Sequence, residues 1–569
     1  MNWFSHIPKM RVPRWLWVLL PVLVFALPVT WKLSVPACTY HMEVLTQLSS
    51  QEVWLRFHDG DRGAWLTPTL HGKARIRKPP GAAWLHGAVW RGLTPANSDV
   101  QARAARARHL AAASVLLMLV GTGLLGRAAA GPRVGWMAAL LLASTMTVLR
   151  QARLASYDTY LMALAGLALG LAFMALNKAR QQRWALAVTL AALGGVVLGM
   201  SVFVKNAVAL LFVLLSLLGA ALVDRRCRRP ALIVGLLLTV VAAGLVAPWY
   251  LHALRTGPDA QSQLLSETLS PGRAQPPWYY IVFIAMLVPW SVSFVGALVA
   301  PRSRGLRLRG LWVGLVLVLV VLSCAISKRQ RYVLPALPLA AVLIADFWNR
   351  LARGAMVRRL SKRFLAIFLG LHAWPLVLAS AALVPVAVVE RLMKSGDGTR
   401  DMMVGPPLAM LPVAALLLLL ALGVLRSMRV ARFRQAFVMT ALWMALAFAA
   451  ITNSYVYTSH GRNPFSDAGA FLKSHFTGQR LATLYREGDA SSLLDGRIEL
   501  YAERVISSHS MRSVTNDATL LREADLVIVP KIPKRPAPAD MGCQGDAPIA
   551  TFMQEGTLFE VWPVSHPDR

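Results

Sequence analysis

Thirteen stretches of this chain are apolar over about the length that a bilayer core requires, and that one feature removes most of fold space. They lie at about 14–33, 109–126, 134–150, 157–176, 184–204, 206–223, 231–250, 278–299, 310–327, 333–349, 364–390, 406–425 and 435–452. In hydrocarbon every backbone N–H and C=O must find its partner inside the protein, so runs of roughly 20 apolar residues cross as helices. The expected fold class is an α-helical polytopic membrane protein with about thirteen transmembrane helices. Lys205-Asn206 is nearly all that separates the fifth run from the sixth. Mean hydropathy is +0.51 and 56% of residues are hydrophobic, beyond what an ordinary water-soluble domain reaches.

A formal net charge of +33 would suggest nucleic acid as a partner in a soluble chain. Here the Lys and Arg sit between apolar runs and form no single patch, so no nucleic-acid partner is expected. Their placement sets orientation instead, because cytoplasmic loops retain positive charge. With the N-terminus inside, the cytoplasmic segments include "DRRCRRP" (224–230), "PRSRGLRLRG" (301–310), "NRLARGAMVRRLSKRF" (349–364) and "RSMRVARFRQ" (426–435), all basic. The other side carries Glu43, Glu52, Asp59, Asp61, Asp158, Asp259, Glu267, Glu390, Asp397 and Asp401. An odd number of spans then places everything after Thr452 outside. The basic N-terminal start with its long apolar run lacks a convincing cleavage site and reads as an uncleaved first span. A multi-pass protein of a bacterial inner (cytoplasmic) membrane is expected, with a cytoplasmic N-terminus and a periplasmic C-terminal domain.

Several chemistries are disfavoured. The four cysteines (Cys38, Cys227, Cys324, Cys543) show neither CxxC nor metal-ligand spacing, so neither a zinc site nor a disulfide scaffold is expected. There is no GxxxxGK[ST], no GxGxxG after a strand and no HExxH, the sequence marks of nucleotide hydrolysis, dinucleotide binding and zinc proteolysis. Asp346, near an inner end, is almost alone among acids in the apolar runs, which weighs against an ion-coupled transporter.

Residues 453–569 change character. "RLATLYRE", "RIELYAE", "DLVIVP" and "TLFEVWPV" read as short strands, "NDATLLREA" as helix and "PKIPKRPAPAD" as a Pro-rich loop, which together suggest a small soluble α/β domain. The expected domains are thus 1–452, a membrane body with a long first outer loop at 34–108, and 453–569, a soluble unit on the outer face.

Loops as long as 34–108 in compact proteins usually have a function. "CTYHMEVLTQLSSQEVWLRF" reads as an amphipathic helix with Met42, Leu45, Leu48 and Val53 or Leu55 on a lipid-facing stripe. Glu43 and Glu52, nine residues apart, fall on opposite faces of one continuous helix. An ordinary role for Glu52 is an i,i+4 pair with Arg56. In "KPPGAAWL", Pro79 and Pro80 restrict Lys78 to an extended backbone and begin a helix or re-entrant turn. A lysine presented there suits a phosphate as a compact point charge, or else snorkels to the headgroups. "RQARLASYDTYLMAL" sets Arg150, Arg153 and Asp158 at the start of the fourth run, where Asp158 could equally be a helix N-cap. Lys205 lies at the membrane boundary, a depth at which ionisable groups are functional by default. "SKRQRYVLPALPLA" gathers Lys328, Arg329, Arg331 and Tyr332 on the side where topology disfavours positive charge. An anion is expected there.

These segments resemble a known family. "GAWLTPTLHGKARIRKPPGAAWL" from Gly63, "ASYDTY", "VKNAVALLFVLL", "VAPWYL" at 246–251, "PPWYYIVFIAMLVPW" at 276–290 and "SKRQRYVLPALPLAAVLIADF" are similar, in order, to segments of the GT-C membrane glycosyltransferases. The likeness is to the protein-mannosyltransferase-like group that includes bacterial aminoarabinose transferases for lipid A. It spans roughly residues 10–350, and the KPP and YVLPALP segments are its most specific parts. The resemblance implies transfer of a sugar from a polyprenyl-phosphate donor to a glycolipid, glycan or protein acceptor on the outer face. It implies Lys78, Lys205, Arg331 and Tyr332 on the donor phosphate, and Asp158 with a first-loop carboxylate as catalytic groups. The family's first-loop Asp-Glu pair is replaced by Gln51-Glu52, so Glu52 is the first choice and Glu43, Asp59 and Asp61 are alternatives. No cofactor is implied with certainty; a divalent metal on these carboxylates is compatible with the pattern. A lipid or sugar transporter, and a relative that binds polyprenyl phosphate without transferring sugar, are the competing readings.

Overall fold

The computed structural model describes residues 14–36, 38, 40–76, 78–255, 275–299, 305–326, 328–354, 362–393, 407–459, 464–485, 500–503, 506–532, 535–554 and 557–564. Helices dominate as far as Ser459, in the order α1 (Arg14–Thr30), α2 (His41–His58), α3 (Gly81–Val89), α4 (Val100–Ala130), α5 (Pro132–Ala143), α6 (Met146–Ala152), α7 (Tyr157–Arg180), α8 (Trp184–Lys205), α9 (Val208–Val223) and α10 (Arg228–Arg255). There follow α11 (Val282–Ala285), α12 (Ser291–Val299), α13 (Leu306–Cys324), α14 (Leu337–Ala352), α15 (Lys362–Met393), α16 (Pro407–Arg429) and α17 (Phe433–Ser459). Among the described residues nine helices are long and apolar enough to cross a membrane, and the bent pair α5–α6 makes a tenth. α1 and α9 are shorter apolar helices.

Every apolar run lies on helical structure, but two are broken. α5 and α6 meet at 65°, where the Ser144 hydroxyl donates to the Leu140 carbonyl at 2.9 Å and the Thr145 hydroxyl to the Leu141 carbonyl at 2.8 Å. The run expected as one span at 278–299 is instead a 3-10 turn (Pro277–Ile281), α11 and α12. Pro277 and Pro289 bring no N–H, so a continuous helix is lost there. The two breaks satisfy each other: the Met146 N–H donates to the Val288 carbonyl at 2.9 Å and the Trp290 indole to the Ser144 hydroxyl at 3.2 Å. Irregular backbone at membrane depth is tolerable when buried in protein this way. Elsewhere small residues let helices touch: a Cβ added at Gly170 of α7 would sit 2.2 Å from the Gly121 carbonyl of α4, the close crossing that membrane helices use in place of hydrophobic drive.

The first loop is compact. β1 (Thr69–Leu70) and β2 (Lys73–Ala74) form a hairpin around His71-Gly72, with φ of 56° and 71°, the positive pair that a two-residue loop requires. α2 does not turn a stripe to lipid. Met42, Leu48 and Val53 are buried, and Leu48 packs with Cys38, Val44, Val100, Ala104 and Leu500. The helix packs on Val100 and Ala104 of α4 and on Leu500 of the C-terminal region, so these apolar positions are taken by protein.

Past α18 (Pro464–His475), β3 (Leu481–Tyr485), β4 (Ile506–Ser510), α19 (Met511–Asn516), β5 (Leu526–Pro530), β6 (Ala550–Gln554) and β7 (Thr557–Pro563) build one sheet in the order β4-β3-β5-β7-β6. β4, β3 and β5 are parallel, and β7 and β6 add antiparallel. Alternate residues of β5 face separate clusters, Leu526 and Ile528 on one side and Val527 and Val529 on the other, so both faces are covered. "RIELYAE" is not a strand where it is described, since Leu500–Ala502 is helical; Arg497–Glu499 fall outside the described residues. The strand lies further on, at Ile506–Ser510, where alternation was too polar to reveal it.

Candidate functional site

Helix ends create the site. α7 starts at Tyr157 because the Ser156 hydroxyl accepts from the Thr159 N–H at 3.4 Å. Ser156 is therefore the N-cap, and Asp158 is free of that duty. Asp158 is 2% exposed. Its Oδ1 accepts from the Lys205 ammonium at the last residue of α8, and its Oδ2 lies 3.5 Å from Arg331 Nε. Oδ2 and that Nε are both buried without a hydrogen-bond partner. Lys205 Nζ is 5.2 Å from the centre of the Tyr332 ring and the Arg331 guanidinium 5.9 Å, both within cation–π range. Four of the expected residues, Asp158, Lys205, Arg331 and Tyr332, thus meet at one place from three separate segments.

Lys78 joins through the backbone. A Cβ on Gly81 would lie 2.7 Å from the carbonyl carbon of Phe203, so the KPPG segment rests directly on the last turn of α8, two residues before Lys205. Only glycine permits that approach. Lys78 is 8% exposed and buried in protein, not displayed at a headgroup boundary. Two indoles tie the loop down: Trp84 donates to the Trp65 carbonyl at 2.8 Å and Trp249 to the Leu66 carbonyl at 3.0 Å. The aromatic residues of "GAWL", "GAAWL" and "VAPWYL" are staples between sequence-distant segments.

Glu52 holds a hairpin turn. Its carboxylate accepts from the His71 N–H at 2.7 Å and the Gly72 N–H at 3.3 Å, holding both turn residues of the β1–β2 hairpin. Burial pushes its carboxyl above the ordinary range despite those donors. It makes no pair with Arg56, which bonds Asp61 and the Thr67 carbonyl. Glu43, on the opposite face as expected, takes a bidentate pair from Arg108 at 2.7 and 2.9 Å and the Ala155 N–H at 3.1 Å. It is the first-loop carboxylate that touches the segment leading into Asp158. Arg108 lay unremarked in "RAARARH", where nothing local distinguishes it. Arg153 closes the end of α1 by donating to the Val29 carbonyl at 2.5 Å and the Trp31 carbonyl at 2.8 Å, and Arg150 lies over Tyr40. Among the described residues no group of His, Cys, Asp and Glu is arranged to hold a metal ion.

A groove of about 770 Å³ runs along α13. Pro277, Val316, Leu319, Val320 and Ile326 line it together with Lys328, whose ammonium donates to the Gln275 carbonyl at 2.9 Å.

No protein-family model and no curated protein matches the sequence. Solved structures do match the fold. ArnT from Cupriavidus metallidurans superposes in its apo state with a TM-score of 0.67 at 19% identity, covering 96% of this chain and 97% of that one. The chain has the GT-C fold. The same ArnT bound to undecaprenyl phosphate gives 0.67 at 18% identity over 96% and 98% of the two chains. The oligosaccharyltransferase of Archaeoglobus fulgidus in its apo form gives 0.52 at 11% identity, over 93% of this chain and 70% of that one. The GT-C likeness read from the first 350 residues therefore extends, as fold, over nearly the whole chain.

Proposed function

We propose that this protein transfers a sugar from a polyprenyl-phosphate donor to an acceptor, a glycolipid such as lipid A, another glycan or a protein, at the periplasmic face of a bacterial inner membrane. The observation that carries this reading is the buried Asp158 held between Lys205 and Arg331 beside the KPP segment, with one carboxylate oxygen unbonded. That a protein of the same fold was crystallised with undecaprenyl phosphate supports it. The largely apolar groove that Lys328 helps to line suits the isoprenoid of such a lipid.

The chemistry follows from the charges. Breaking the anomeric C–O bond sends its electron pair to the phosphate oxygen, so the leaving lipid phosphate gains negative charge. Lys78, Lys205 and Arg331 neutralise that charge in a site poor in water, where fixed cations act most strongly. The acceptor oxygen or nitrogen forms the new bond and gives its proton to Asp158 Oδ2, a base contribution of about 10²–10⁴-fold. Glu52 acts through position: by fixing the His71-Gly72 turn it sets the strand that leads to Lys78. In this reading residues 1–452, with the loop 34–108, form the membrane body, and 453–569 a periplasmic domain.

Purified protein in nanodiscs, given undecaprenyl-phosphate-linked sugars and envelope lipid or glycan acceptors, tests the proposal. Product should form with wild type and not with Asp158→Asn. Binding of undecaprenyl phosphate without turnover on any such donor would instead establish a binding protein. That second reading draws on the structural duties that Glu43 and Glu52 already hold.

A further inference from the structure

Arg75 is used by nothing above. It follows the hairpin, three residues before Lys78, and is 7% exposed. Its guanidinium lies over the ring of Tyr157 at 5.7 Å, next to Asp158 in the chain. Its Nη1 reaches the Leu45 carbonyl at 3.5 Å, and its Nε is buried with no hydrogen-bond partner. Among the described residues it forms no ion pair with a carboxylate, whereas the buried Arg103, Arg108 and Lys205 each have one. A guanidinium taken out of water without a counter-ion costs several kcal/mol. The Tyr157 ring and the Leu45 carbonyl offset part of that cost, and an anion would offset the rest.

We infer that Arg75 is a fourth cation on the donor's phosphate. This deepens the reading of the site given above and rests on it. Lys205, Arg331 and Arg75 bring three positive charges and Asp158 one negative, so these four residues together carry two positive charges. A lipid-linked sugar is a phosphodiester with one negative charge, and the polyprenyl phosphate left behind is a monoester of about −1.5 to −2 at neutral pH. The surplus cations therefore hold the leaving group more strongly than the donor, the differential that lowers a barrier. Lys205 and Arg331 already share the Asp158 carboxylate. Arg75 shares nothing, and its planar fork can take two phosphate oxygens at once.

The test measures binding of undecaprenyl phosphate and of undecaprenol to the full chain in nanodiscs. Wild type should prefer the phosphate. Arg75→Gln should lose about tenfold or more of that preference with undecaprenol binding unchanged, and Arg75→Lys should fall between. A merely structural role for Arg75 would weaken both lipids together. If wild type prefers the phosphate and Arg75→Gln does so equally, this inference falls and the proposed function stands. If wild type shows no preference, both fall. Should Arg75→Gln not accumulate, Arg75→Lys decides: a preference reduced about threefold supports the assignment and an unchanged one overturns it.

Discussion

Two buried charge clusters lie at the same end of this molecule, and they are built on opposite plans. Where the first loop meets α4 and the segment 500–503, charges are matched. Glu43 and Arg108 pair through two hydrogen bonds, with the Pro36 carbonyl and Ala155 N–H completing them. Arg103 likewise joins Gln51, the Ser98 carbonyl and Glu503 at 3.0, 3.2 and 2.9 Å. At the ends of α7 and α8 one carboxylate faces a surplus of cations, and polar atoms of Asp158, Arg331 and Arg75 stand without hydrogen bonds. The matched cluster is finished within the chain. The unmatched one is, in the proposed function, completed by the donor's phosphate, and that difference separates architecture from site.

The comparison can be broken by experiment. Asp158→Asn should lower sugar transfer by about 10²–10⁴-fold, and it should also lower the thermal midpoint because Lys205 and Arg331 lose their counter-charge; sugar transfer retained in the folded variant would remove Asp158 from the chemistry. Arg108→Gln should cost about 3–5 kcal/mol of stability, because Glu43 is left buried and uncompensated, with no comparable loss of transfer per folded molecule. Adding Glu43→Gln should recover part of that loss in a double-mutant cycle of unfolding. Gly81→Ala should cost roughly 1–3 kcal/mol through overpacking against Phe203, and weaken undecaprenyl phosphate binding if KPPG positions Lys78; unchanged binding would detach Lys78 from the site.

Per pH unit, a pH effect is smaller. His86 on α3 is buried against the Tyr160 hydroxyl at 3.0 Å, and burial depresses its pKa from 6.5 to about 3. Between those values the unfolded chain binds a proton that the folded one does not. The stability it contributes is therefore complete above about pH 6.5 and lost on acidification, by about 1.4 kcal/mol per pH unit. His86→Gln should flatten that part of the stability profile. Least of all should be Lys473→Ala, which removes a half-exposed ammonium from Glu503 and is expected to cost a few tenths of a kcal/mol.

Much of the fold could be read along the chain. The apolar runs located the helices, because burial in lipid demands length and hydrophobicity and both are local properties. The breaks at Ser144 and Pro289 were less legible: proline marks one, while the other depends on hydroxyls competing for carbonyls. Asp158, Lys205 and Arg331 were legible as charges at apolar boundaries, and Tyr332 came in beside them in the segment that carries the family resemblance. Glu52 was found as a carboxylate, but its partner, the backbone of a hairpin nineteen residues on, has no sequence signature. Arg108 and Arg75 stood among many arginines, and only their burial separates them from the rest.

By itself the sequence determined that this chain crosses a membrane many times and carries cations just beyond its apolar runs, since hydrophobic length and charge are written residue by residue. Tertiary structure decided which cations receive a carboxylate and which do not. Pairing depends on the few ångströms between helix ends that packing alone sets, at places such as the contact of Gly81 with Phe203.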